Sequence, residues 1–188
     1  MSAQAKQSHL TGLATVLKDI LDKRLSQGNI TYSKEPEMGE RDIIEYGSRM
    51  RTAGMEKFNA PCFLSYVNFF VSEAHMKEND AMGALIVYFD VQSANKTLKA
   101  LGYPIKLDVE DEVVMQRSGE FVRSIAEQLK TELSSRGYSS LMIGDPHNYQ
   151  NFVPEGIPFS YNEYKSYEIN FFAWKEKILS VDLTMAPS

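Results

Sequence analysis

Five polar residues between positions 116 and 130 have the types and the spacing to act together: Gln116, Glu120, Arg123, Glu127 and Lys130. At about 100° per residue they cluster on one face of a helix. Such a face has two readings. It can stand in water as a run of i,i+3 and i,i+4 ion pairs, each contributing a few tenths of a kcal/mol. It can also be a functional surface, on which Gln116 and Glu120 stand one turn apart as a Gln/Glu pair at i,i+4. Gly119 precedes the glutamate. A glycine inside a helix costs about 1 kcal/mol relative to alanine, so it implies the close approach of a neighbouring element.

The remaining chemistry-bearing residues form no constellation. His9, His75 and His147 are scattered without metal-ligand spacing, and no metal site is expected. Asp145-Pro146-His147 lies in a proline-rich stretch, which makes Asp145 a turn residue. The single cysteine, Cys62, cannot form an internal disulfide and opens an apolar run, as a small core residue would. Met50, Met55, Met76, Met82 and Met115 read as gap-fillers. Tyr149, Phe152, Phe159, Tyr161, Tyr164 and Tyr167 crowd one late segment, either folded over a sheet or forming a partner-binding surface. There is no phosphate loop, nucleophile elbow, zinc pattern or dinucleotide fingerprint, and no cofactor is expected.

The polar face belongs to the longest helical pattern in the chain, Val109 to Gly137. Its apolar side is Val114, Phe121, Val122, Ile125, Leu129 and Leu133. A second helix is predicted over Leu10–Leu25, closed by Gly28, and a short one over Val91–Leu101, closed by Gly102. Strands are predicted at Ile30–Ser33, stopped by Pro36, at Pro61–Ser72, and at Ala84–Phe89, the last two pairing antiparallel. Residues 73–83 read as a polar connection. Gly39–Asn59 reads as a helix, with a strand pair as the alternative. After Gly137 come a strand at Tyr138–Ile143, an irregular loop with three prolines, and a strand pair, Tyr164–Trp174 and Ile178–Met185. In the last strand Leu179, Val181, Leu183 and Met185 alternate with Ser180, Asp182 and Thr184, the pattern of a half-buried strand. The layout is α+β, an antiparallel sheet with long helices packed on one face. Leu21–Gly28 followed by a strand and Glu35-Pro36 echoes Leu129–Gly137 followed by a strand and Asp145-Pro146, an internal pseudo-repeat.

At 188 residues one domain is expected, residues 1–188, with 1–9 as a flexible start. A net charge of −5 with no Lys/Arg run argues against a nucleic-acid partner. No apolar run approaches the roughly 20 residues needed to span a bilayer, so no membrane partner is expected. The first residues lack the apolar core of a secretory signal, which predicts a cytoplasmic location.

One segment carries a family likeness. GALIVYFD, then a helix ending in Leu101-Gly102, then Gly119-Glu120 on a long helix that ends Leu133-x-x-x-Gly137, then a strand and Pro146, resembles the CheC/CheX superfamily of chemotaxis phosphatases. The likeness spans roughly residues 10–185, is sharp over 83–146, and leaves 38–60 as atypical material. It implies a bacterial two-component signalling protein, a CheY-like receiver domain as partner, and a homodimer. In that family the motif glutamate pairs with a lysine beside the receiver's phosphate, and an asparagine three residues later orients the attacking water. Here Glu120 stands at the glutamate's place and Arg123 at the asparagine's; Glu127-Gln128 replaces a glycine-asparagine pair. An arginine has five donors and no acceptor, and it is expected to pair with Glu120 and Glu127. The resemblance therefore implies a receiver-binding protein with an incomplete catalytic pair. The alternatives are an active aspartyl-phosphate phosphatase using Glu120 with Gln116, or a fold put to an unrelated use. The partner-binding residues it implies are Gln116, Glu120, Arg123, Glu127 and Lys130.

Overall fold

The computed structural model describes residues 3–52, 54–106, 108–160 and 164–188, with side chains from His9 onward. In chain order come α1 (Ala3–Gln27), β1 (Tyr32–Asp42), the short hairpin β2 (Glu45–Tyr46) and β3 (Arg49–Met50), α2 (Gly54–Phe58), β4 (Cys62–Phe70), α3 (Glu73–Glu78), β5 (Gly83–Asp90) and α4 (Val91–Ala100). Then follow α5 (Asp111–Leu133), a 3-10 turn at Ser134–Arg136, β6 (Met142–Ile143), β7 (His147–Gln150), β8 (Lys165–Ala173) and β9 (Glu176–Met185).

The main sheet runs β1-β8-β9-β5-β4-β6, with β7 also on β4. Every pairing in it is antiparallel. Its order reads the same from both ends. α1, β1 and the pair β4/β5 make one half; α5, β7 and the pair β8/β9 make the other. The strand that follows each long helix joins the opposite half's pair, β1 on β8 and β7 on β4. This is the pseudo-repeat that the two helix ends echo in the sequence.

α1 and α5 pack on each other and on one face of the sheet. Between them and the sheet lies the larger core, in which Leu17, Leu21 and Leu25 of α1 and Phe121, Val122, Ile125 and Leu129 of α5 meet Phe63, Val67, Val87, Phe171 and Val181. The opposite face of the sheet is covered as well. Met50, Val153, Ile157 and Phe159 close over Leu64, Tyr66, Ile86 and Tyr88.

That second layer accounts for some of the departures from the sequence reading. β9 is buried on both faces from Ile178 to Met185, not on alternate residues. β1 runs through Pro36, which the sequence placed after the strand. It is an edge strand, and its register shifts between Lys34 and Glu37, so no ladder bond is lost at the proline. The helix expected over Gly39–Asn59 is replaced by the end of β1, the β2–β3 hairpin and the short α2. Gly47 and Ser48 both have positive φ, 60° and 63°, as a tight hairpin turn requires, so the strand-pair alternative holds there. Residues 73–78 of the expected connection form α3, whose first turn is capped by the Ser72 hydroxyl. The strand expected over Tyr138–Ile143 shrinks to β6. The loop expected to be irregular contributes β7 to the sheet edge. α1 starts at Ala3 rather than at Leu10.

Candidate functional site

α5 is built as its sequence dictates. Val114, Phe121, Val122, Ile125, Leu129 and Leu133 are at most 2% exposed. Asp111 and Glu112 place negative charge at its amino end, where the helix dipole favours it. Gly137, with φ 95°, ends the turn that follows it. The opposite side carries the five predicted residues together: Gln116 and Glu127 are exposed, and Glu120, Arg123 and Lys130 are half-buried.

Their pairing differs in part from expectation. Arg123 Nε donates to Glu127 Oε1 at 3.0 Å, the expected i,i+4 pair. Its Nη1 turns to the β6–β7 connection, donating to the Gly144 carbonyl at 3.3 Å and lying 3.7 Å from Asp145. It therefore does not pair with Glu120. The cation on Glu120 is Arg117, one turn before it, whose Nη1 donates at 2.5 Å. Two separate ion pairs result, with the carboxylate and the guanidinium of positions 120 and 123 drawn in different directions.

Gly119 is explained by its neighbour. A Cβ there would collide with the Asn148 carboxamide, 2.9 Å from Nδ2 and closer still to Oδ1. Asn148 lies on β7, and its Oδ1 accepts from the buried Ser65 hydroxyl at 2.7 Å; Ser65 also meets Ser118 of α5 at 3.0 Å. An exposed residue is thus anchored at its tip, with an amide placed against the helix beside Glu120. Sequence reasoning inferred the close approach and missed the residue, because β7 was not legible as a strand.

The sheet's second face holds a polar cluster that sequence reasoning also missed. Lys57 of α2 reaches the sheet, and its Nζ donates to Asp182 Oδ1 at 2.8 Å and to Glu168 Oε2. Tyr88 Oη donates to Asp182 Oδ2 at 3.0 Å; Arg41 and Asn170 donate to Glu168 Oε1 at 3.1 and 2.9 Å. The three charged side chains of the triad are 10–12% exposed. Burial raises the Glu168 carboxyl, but its bonds to Lys57, Asn170 and Arg41 outweigh burial and hold it down at about 2. Asp182 goes the other way: burial pushes it above the usual range despite Lys57. Burial also lowers Lys57, yet the two carboxylates together keep it above the ordinary lysine value. In the sequence Ser180, Asp182 and Thr184 looked like a solvated face, and nothing local distinguishes a solvated face from one capped by a distant lysine.

Elsewhere the histidines are apart. His9 Nε2 lies 2.7 Å from Tyr138 Oη, His75 Nδ1 lies 2.7 Å from Ser72 Oγ, and His147 stacks on Tyr66. Among the described residues no three of His, Cys, Asp and Glu are grouped to hold a metal ion. Cys62 is fully buried, and burial pushes its thiol up to about 11. Asp145 is exposed, as a turn residue would be. Of the late aromatics, Phe159 is buried, Tyr149 stacks on Tyr66, Phe152 and Tyr164 are exposed, and Tyr161 lies outside the described residues. No described helix is long and apolar enough to cross a membrane.

Two long helices on one face of a self-mirrored antiparallel sheet define a fold class, that of the CheC/CheX-like chemotaxis proteins. The chain is similar to a CheC-like superfamily protein from Shewanella sp. PV-4, with TM-score 0.56, 11% identity and coverage of 93% of this chain and 97% of that one. It is similar to the CheX of a CheX–CheY–BeF3–Mg2+ complex from Borrelia burgdorferi, with TM-score 0.53, 14% identity and coverage of 93% and 97%. FliY of Thermotoga maritima matches with TM-score 0.55, 12% identity and coverage of 99% and 92%. No protein-family model and no curated protein matches the sequence. At these identities the likeness fixes the fold, the one that the sequence resemblance implied.

Proposed function

We propose that this protein is a CheX-like signalling protein whose α5 face, Gln116, Glu120, Arg123, Glu127 and Lys130, binds a CheY-like receiver domain. The observation that carries the reading is the half-buried Glu120 on the polar side of α5, directly after the buried Gly119, in a fold whose Borrelia burgdorferi representative forms a complex with CheY. Two carboxylates alternating with a guanidinium and an ammonium suit a charged partner surface, where complementarity sets orientation and association rate. The catalytic pair is incomplete, because Arg123 is engaged with Glu127 and Gly144 and has no acceptor for a water proton. The same reading includes a homodimer, tested by the solution mass from sedimentation equilibrium.

One observation favours a second reading, an active aspartyl-phosphate phosphatase. The Asn148 amide, fixed by Ser65 and seated on Gly119, is a neutral group able to hold a water near Glu120. Gln116, one turn before the glutamate, is exposed. The experiment is to mix the protein with a phosphorylated CheY-like receiver and follow both binding and phosphate release. Binding at the spontaneous hydrolysis rate supports the first reading. Release that is faster and disappears in both Glu120→Ala and Asn148→Ala supports the second. No binding removes both.

A further inference from the structure

We propose that the cleft on the sheet's second face, floored by Ile86, Tyr88 and the Lys57–Glu168–Asp182 triad, binds a small organic anion: a carboxylate on a short apolar body. The cleft holds about 340 Å³, at the small end of the range for small-molecule sites. It has the mixed lining such sites use. Ile43, Ile44, Met50 and Ile86 give it an apolar side, and charged groups converge at its floor and rim.

The sign of the ligand follows from charge balance. Three cations, Arg41, Lys57 and Lys177, face two carboxylates, Glu168 and Asp182, so positive charge is left over. Arg51 also lines the cleft, but its guanidinium is held by the Pro154 and Tyr46 carbonyls, and its charge is matched by Glu56. The remaining acid of the lining, Asp42, is 83% exposed and neutralised by Lys165, so the surplus of one positive charge stands. Among the described residues Lys177 keeps donors to spare, with the Phe58 ring centre 5.9 Å from its ammonium. One of its three protons goes to the Lys57 carbonyl at 2.7 Å, and the ammonium sits half-buried beside Lys57 and Arg41. Burial first, and then those two like charges, lower its pKa against the pull of Glu168 and Glu37, so a bound anion would relieve it. The carboxylate then lies by Lys177 and Arg41, and the apolar body runs along Ile86 and Met50. This site is across the sheet from α5 and does not depend on receiver binding.

The test is a methyl-NMR titration of the full chain with hexanoate, acetate and hexylamine in parallel. Hexanoate should shift the Ile86 and Met50 methyls saturably with millimolar affinity, as suits so small a ligand. Acetate should bind at least tenfold more weakly and hexylamine should leave these methyls unmoved. Lys177→Gln and Arg41→Gln, at the open side of the cleft, should each weaken hexanoate severalfold with the methyl spectrum otherwise retained. The proposal is overturned if hexanoate gives no saturable shift at these methyls, if hexylamine matches it, or if acetate binds as well. It is also overturned if both variants bind hexanoate as the natural chain does.

Discussion

Replacing Lys57 with methionine tests the reading of the second face most directly. The substitution keeps the apolar stem to within one atom and removes the ammonium and its charge. Glu168 and Asp182, 10% and 12% exposed, are then left without the cation between them. Breaking a buried pair from one side costs about 3–5 kcal/mol, because the remaining charge is uncompensated. Arg41 still reaches Glu168 at 3.1 Å but is 59% exposed, so the lower figure, about 3 kcal/mol, is expected at pH 7. For a chain of this length that is a fall in Tm of about 6–12 °C. The pH dependence separates this account from a simple packing loss. In the natural chain Glu168 sits at about 2 against an ordinary 4.5, so its contribution is present above 4.5 and is lost as the pH falls toward 2. Asp182, raised above its ordinary 3.8, has the opposite sign and softens that loss. In Lys57→Met both carboxyls rise in the folded state; Asp182, already above its ordinary value, loses the cation that opposed burial, so through it the variant gains stability as the pH falls from 7 to 5. Urea unfolding at the two pH values, followed by the fluorescence of Trp174, the only tryptophan, measures this. A loss under about 1 kcal/mol at pH 7, or a deficit that is as large at pH 5, refutes the argument. Replacing all three charges with apolar residues of similar size should restore most of the loss.

Other outcomes follow from the helix side. Gly119→Ala should change stability little or lower it, since about 1 kcal/mol of helix propensity is set against the displaced Asn148; in an Asn148→Ala background the same change should stabilise by about 1 kcal/mol, and a double-mutant cycle reads the coupling. Phe121→Ala, fully buried against Phe89 at 5.4 Å between ring centres, should cost about 3–5 kcal/mol in denaturant unfolding. Arg123→Ala, whose ion pair with Glu127 is 39% and 49% exposed, should cost under about 1 kcal/mol while reducing receiver binding in a titration. Arg123→Asn should leave binding intact; phosphate release that rises with it would favour α5 as the water-orienting element over Asn148.

The sequence by itself determined the elements whose signals are local. The 3.6-residue period of α5, the apolar runs of β4 and β5, and the glycines at 28, 102 and 137 are written in short windows, and each of these elements formed close to its expected bounds. The pseudo-repeat was legible too, because two helix ends repeat in type. So was the shared face of Gln116, Glu120, Arg123, Glu127 and Lys130, since a helix fixes its own neighbours. Only the tertiary structure decided what those residues meet. Arg123 leaves Glu120 for a carbonyl at Gly144, and Asn148 arrives on Gly119 from a strand of four residues. Lys57 caps Asp182 from 125 residues away. The physical reason is common to all three. A charged or amide side chain satisfies itself with whatever partner the packing brings within about 3 Å, and its own sequence neighbourhood carries no record of that partner.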